Sequence, residues 1–183
     1  MSDFFLTTVL TFDASVRICV PLIFASMAGL FAERAGVVDI GLEGKLLMSA
    51  FIAASAASVF GSPWLGLIAG MLASSVLAMI HGFASITYKG NQIVSGVAIN
   101  ILASGLTMIL TLAWFKRGGI TPTLQNDERF LSITLPGVDI IDHIPIIGVI
   151  YRELISGHNI LVYLAFVIVP IVWWVVYRTR FGL

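Results

Sequence analysis

Five apolar runs divide the chain. They cover residues 16–32, 46–60, 64–88, 93–115 and 160–177, and a shorter apolar stretch at 4–12 leads into the first. A membrane-crossing helix needs about 20 mainly apolar residues, within a range of about 17–25. The third, fourth and fifth runs meet that requirement directly. The first and second are short, and the break between them is dense in glycines, acids and β-branched residues, from Gly29 to Lys45. That composition predicts an interrupted helix or a re-entrant segment. Its glycines allow turns and close helix approach, and its freed backbone groups must face protein or water, never lipid. The expected architecture is all-α, a polytopic transmembrane helical bundle forming one membrane domain over residues 1–183.

The connections differ in length. Gly61, Ser62 and Pro63 make a tight turn, so the second and third runs are antiparallel neighbours, and residues 89–92 make another. Residues 116–159 form a long polar connection with Pro122, Pro136 and Pro145, and its apolar piece 144–151 is too short to span and reads as interfacial. Positive charge in short loops marks the cytoplasmic side. Lys45, Lys89 and Arg178 therefore lie inside, and the long connection is extracytoplasmic. Simple alternation puts the N-terminus outside, and a re-entrant glycine segment would put it inside.

Composition agrees with the pattern. The chain is 58% hydrophobic and 11% charged, against about 25% charged in a soluble domain, and its mean hydropathy is +1.02. The lipid membrane is thus a partner. Net charge is zero, which gives no electrostatic footing for a nucleic-acid partner. The single Cys19 sits in an apolar run and reads as an inert buried thiol.

Polar positions inside the runs carry the candidate chemistry. Asp39 and Glu43 lie four apart, on one face if that segment is helical. They read either as an ion network with Glu33, Arg34 and Lys45, or as the polar floor of a translocation cavity. In the fourth run Gln92, Gly96, Asn100 and Ser104 recur at every fourth position, continued by Thr107 and Thr111. That stripe reads either as interhelical hydrogen bonding or as a lining for hydroxyl- or amide-rich solutes. Asn100 is the foremost candidate because its amide both donates and accepts. In the third run Gly66, Gly70, Ser74, Ala78 and Gly82 make a small-residue stripe for helix packing, with His81 beside it as a packing or interface histidine, or else a substrate contact. Arg17 reads as snorkelling to the interface. Trp173, Trp174 and Tyr177 read as an interfacial belt before Arg178, and Pro170 as a kink.

Enzyme signals are missing. His81, His143 and His158 are isolated, so no metal site is expected. Gly44-Lys45 is no phosphate loop: Asp39 stands where a glycine is required, and Leu46 follows the lysine in place of Ser or Thr. If ATP drives this protein, another subunit binds it.

Three stretches carry a family resemblance. Leu30-Phe31-Ala32-Glu33-Arg34-Ala35-Gly36-Val37-Val38-Asp39-Ile40-Gly41-Leu42-Glu43-Gly44-Lys45 resembles the signature of permease subunits of bacterial ATP-binding cassette importers, in the simple-sugar and nucleoside branch (the ribose-type inner-membrane permease family). Asn91-Gln92-Ile93-Val94-Ser95-Gly96-Val97-Ala98-Ile99-Asn100 resembles a second family motif. Tyr177 to Leu183, with Arg178 and Arg180, resembles the lead-in to the coupling element that meets the ATPase. Asp39 departs from the family, which carries asparagine there. The resemblance implies a multi-pass protein of the bacterial inner (cytoplasmic) membrane and a transport subunit, not an enzyme. Its implied partners are a cytoplasmic ATP-binding subunit that holds ATP and Mg, a second permease subunit and an extracytoplasmic solute-binding protein. It implies alternating-access import of a nucleoside or simple sugar, with Asp39, Glu43, Gln92, Ser95, Asn100 and Ser104 along the pathway. It also implies a longer protein, of which this chain is an N-terminal fragment. Two other readings stay open on the residues alone: an ion-coupled secondary transporter or channel using Asp39 and Glu43, and a non-transporting scaffold assembled through the Gly66/Gly70 face.

Overall fold

The computed structural model describes residues 3–136 and 147–180. The described chain is helical and contains no strand, only one isolated antiparallel bridge between Ser132 and Asn159. The helices are α1 (Asp3–Arg34), α2 (Leu42–Phe60), α3 (Pro63–Gly82), α4 (Gln92–Phe115), α5 (Ile147–Ile150) and α6 (Ile160–Arg178). A π-helical turn, Phe83–Thr87, follows α3, and another, Tyr151–Ile155, follows α5. Among the described residues five helices are long and apolar enough to cross a membrane: Phe4–Arg34, Leu42–Phe60, Pro63–Thr87, Gln92–Phe115 and Ile160–Arg178. Large apolar side chains such as Leu22, Leu72, Ile109 and Phe166 stand on their outer faces, as expected of helices solvated by lipid.

The chain forms two compact units. The first comprises residues 28–129 and the second residues 1–27 with 130–183.

In the first unit α2 and α3 form a hairpin. Gly61 closes α2 in the left-handed conformation, at φ 62°, which glycine adopts without steric cost. Pro63 then opens α3, where a missing N–H does no harm. The hairpin is tight because Gly66 and Gly70 lie against α2: a Cβ on Gly66 would come within 2.7 Å of the Ala53 carbonyl, and one on Gly70 within 2.9 Å of the Ser49 carbonyl. Asn91 caps α4, its Oδ1 accepting from the N–H groups of Ile93 and Val94 at 3.0 and 3.2 Å. Met48, Phe51, Leu77, Ile99 and Ala103 make the shared core of α2, α3 and α4, and Phe51 stacks on Trp114 at 5.7 Å.

In the second unit Val20 of α1 packs on Val162 and Ala165 of α6, flanked by Val16 and Phe24. The backbone around Ser132–Asn159 is tied by the Ile133 N–H donating to the His158 carbonyl at 2.8 Å. Pro21 and Pro170 lie inside α1 and α6, and both helices run on through them. Near the end of α6 the Arg178 guanidinium lies 6.0 Å from the Trp173 ring centre.

The interruption expected near Gly36 is a non-helical link, residues 35–41. Asp39 lies in this link and Glu43 in the first turn of α2, so the two acids do not share a helical face. The first apolar run is part of one 32-residue helix that absorbs residues 4–12. Of the short apolar piece 144–151, residues 144–146 lie outside the described part, and the rest forms α5 and the start of its π turn.

Candidate functional site

The link 35–41 is fixed to α4 by close backbone approach. A Cβ on Gly96 would meet the Gly41 nitrogen at 2.9 Å, and one on Gly44 would meet Asn100 Cα at 2.8 Å and the Ile99 carbonyl at 2.9 Å. Glycine is the residue that permits such contact. The stripe on α4 then supplies the link's backbone with partners. Gln92 Oε1 accepts from the Val38 N–H at 2.7 Å. Asn100 Oδ1 accepts from the Gly44 N–H at 2.7 Å, and Asn100 Nδ2 donates to the Ile40 carbonyl at 3.1 Å. A link without a full set of helical hydrogen bonds must satisfy its polar groups in this way wherever water is excluded.

Behind the link lies a buried charge network. The Lys45 ammonium pairs with Asp39 Oδ2, and Asp39 Oδ1 accepts from the Gly41 N–H at 3.1 Å. His81 Nε2 stands 3.9 Å from the same carboxylate oxygen. His81 Nδ1 meets Ser95 Oγ at 3.1 Å, and Ser85 Oγ lies 3.5 Å from Nε2. Lys45 is 5% exposed and His81 2%. Asp39 thus joins the link to α2, and His81, beside it, joins α3 to the π turn and α4. A paired buried charge is tolerated, whereas the same charge alone would cost several kcal/mol.

On the other side of this junction α2 and α4 border a groove. One part, open to the outside, has a volume of about 500 Å³ and is lined by Glu43, Gly44, Leu47, Asn100, Ile101, Ser104 and Gly105. A second, of about 520 Å³, shares Leu47 and Ser104 with it and runs on past Thr107 and Thr111 to Gly119 and Thr121. Each falls within the size range of small-molecule sites, about 300–1,000 Å³. Thr107 spends its hydroxyl proton on the Ala103 and Ser104 carbonyls, and Thr111 on the Thr107 carbonyl. Their hydroxyl oxygens keep only accepting capacity.

The structure sorts the sequence candidates into two sets. Glu43, Asn100 and Ser104 line the groove. Asp39 and Ser95 belong to the buried network, and Gln92 holds the link. Gly66 and Gly70 pack on α2, with Ser74 half-buried further along α3. Arg178 sits at the end of α6 and Arg180 just beyond it. His81, read from sequence as a packing or interface histidine, is a member of the network. Arg17 is also more than a snorkelling charge: its Nη2 donates to Asp13 Oδ2 at 2.6 Å, a pair legible from the i, i+4 spacing. His158 Nδ1, 3.6 Å from Asp13 Oδ1, had no local signal in the sequence. Among the described residues no group of His, Cys, Asp and Glu has the arrangement of a metal site.

Comparison with known proteins gives the context of this geometry. Residues 12–183 match the family described as branched-chain amino acid transport system / permease component. The guanosine ABC transporter permease protein of Bacillus subtilis is 36% identical over 176 residues, which cover 93% of this chain and 52% of that protein. The nucleoside ABC transporter permease protein of Lactococcus lactis is 34% identical over 89% of this chain and 50% of its own length. The putative glucose ABC transporter permease protein of Haloferax volcanii is 33% identical over 93% and 49%. The chain spans about half the length of these curated relatives. No solved structure matches it.

Proposed function

The chain belongs to the branched-chain amino acid transport system / permease component family, and from that premise we propose that it is the membrane-spanning part of an ATP-driven importer for a nucleoside or simple sugar. The observation that carries this reading is the groove between α2 and α4, with Glu43, Asn100 and Ser104 at one end and threonines along the other. Such a lining offers hydrogen bonds to a desolvated, hydroxyl-rich solute. The permease makes and breaks no covalent bond. ATP and Mg sit on a cytoplasmic partner subunit, and their turnover shifts the helices between outward-open and inward-open arrangements. A second permease subunit completes the membrane pathway. The connection 116–159 faces outward toward a solute-binding protein, Arg178 and Arg180 lead toward the ATPase contact, and the membrane is the bacterial inner membrane.

The rigid junction beside the groove suits this mechanism. The link 35–41 is fastened to α4 through Gln92, Gly96 and Asn100. An ion-coupled transporter would need a carboxylate free to exchange a proton or cation. Asp39 is held by Lys45 and the Gly41 N–H, which leaves only Glu43, in the groove lining, to serve such a transporter, and the requirement for ATP separates the two readings.

The test is uptake in proteoliposomes holding the full-length permease, its ATPase and its binding protein. Labelled nucleoside or ribose should accumulate only with ATP and Mg, and an ionophore should not abolish it. Uptake that follows an ion gradient without ATP would overturn the reading.

A further inference from the structure

We infer that Glu43 is the charge filter of the α2–α4 groove: it accepts from the hydroxyl or amine donors of a neutral or cationic solute, a vicinal diol above all, and rejects phosphorylated solutes. This inference rests on reading that groove as the solute path. Glu43 lines the groove beside Asn100 and Ser104. Among the described residues no hydrogen bond or ion pair engages its carboxylate. The neighbouring cation, Lys45, is buried against Asp39 on the other side of the junction, so the groove lining carries no positive charge.

The remaining hydrogen-bonding capacity is lopsided. Asn100 has used one lone pair of its carbonyl oxygen on the Gly44 N–H and one amide proton on the Ile40 carbonyl. Thr107 and Thr111 have spent their protons on their own helix. Two carboxylate oxygens, the Ser104 hydroxyl and one Asn100 proton remain near Glu43, so acceptors outnumber donors. Acceptors require a solute that donates. The two oxygens of one carboxylate can take both protons of a vicinal diol in paired, charge-assisted bonds. A phosphate group brings mainly acceptors and like charge, and it finds no cation there to pair with.

The experiment uses the full-length permease, freed of native cysteines and carrying Ser104→Cys as a reporter. Its reaction rates with a cationic and an anionic thiosulfonate reagent of similar size are compared. The cation-to-anion rate ratio should fall about tenfold on adding Glu43→Gln, the size expected of one nearby charge in partly aqueous surroundings, and Glu43→Asp should retain it. A ratio unchanged by Glu43→Gln overturns the filter. Protection is then measured: ribose or a nucleoside should slow labelling, and the nucleoside monophosphate should not. Equal protection by the monophosphate also overturns the filter. A charge-dependent ratio with no protection by any neutral solute overturns the path reading alone, so the two failures are distinguishable.

Discussion

Gly44 and Asn100 touch through both backbone and side chain. The Gly44 N–H donates to Asn100 Oδ1 at 2.7 Å, and the bare Cα of Gly44 leaves so little room that a Cβ would stand 2.8 Å from Asn100 Cα. The hydrogen bond and the missing side chain are one device: the amide reaches the α2 backbone only because nothing holds the two helices apart.

That contact predicts an asymmetry among glycines. Gly44→Ala and Gly96→Ala press a methyl group against backbone atoms that cannot swing away, and each should lower stability by about 1–3 kcal/mol, as overpacking does. Gly105→Ala, where nothing lies within 4 Å, should be neutral or slightly stabilising through helix propensity. Thermal unfolding of the full-length variants in detergent checks this. Equal melting of Gly44→Ala and Gly105→Ala would show that the helices do not meet at Gly44.

The buried pair predicts non-additivity. Asp39→Asn alone leaves the Lys45 ammonium buried without its partner, and Lys45→Met alone strands the carboxylate. Each should cost about 3–5 kcal/mol. The double variant Asp39→Asn/Lys45→Met removes both charges and should recover most of that loss. A double-mutant cycle by thermal unfolding measures the coupling, and additive losses would mean that the two charges do not meet.

These two junctions show what a one-dimensional reading can reach. Helices α3, α4 and α6 are legible because each apolar run is long enough by itself. The start of α1 is less so, since Asp13 and Arg17 break the apolar count, yet they neutralise each other one turn apart. The i, i+4 stripe of Gln92, Gly96, Asn100 and Ser104 is visible as a face. What it faces is not, because Gln92 and Asn100 bond to backbone groups of the link, and a backbone carbonyl leaves no mark in the sequence. His81 near Asp39 was hidden for a related reason. The two come from different elements with no shared period, and only the packing of α3 against the link brings them together.

The long connection predicts a sidedness. Asn126 is exposed, and Asn126→Cys in the full-length protein should react with a membrane-impermeant thiol reagent added to intact cells whose outer layers are permeable to it. Ser156 would be a poor reporter, since it is buried and its hydroxyl accepts from the Leu135 N–H at 2.9 Å. Labelling of Asn126→Cys only after the cytoplasmic face is opened would invert the topology.

Asn100 and Ser104 make the sharpest contrast, because both line the groove and only Asn100 is bonded to the link. Asn100→Leu removes two hydrogen bonds and leaves the Gly44 N–H and the Ile40 carbonyl to find other partners. An unsatisfied buried group costs about 1–3 kcal/mol, so this variant should melt earlier and assemble less whatever its part in transport. Ser104 is exposed to the groove, and among the described residues no hydrogen bond engages its hydroxyl. Ser104→Ala should therefore leave the melting temperature in place. If the groove carries the solute, it should lower uptake per assembled complex, by about fivefold for one lost hydrogen bond of about 1 kcal/mol. Measuring uptake and melting on both variants separates a residue that holds the groove together from one that serves what passes through it. Unchanged uptake in Ser104→Ala, together with unchanged uptake per assembled complex in Asn100→Leu, would move the pathway away from α4.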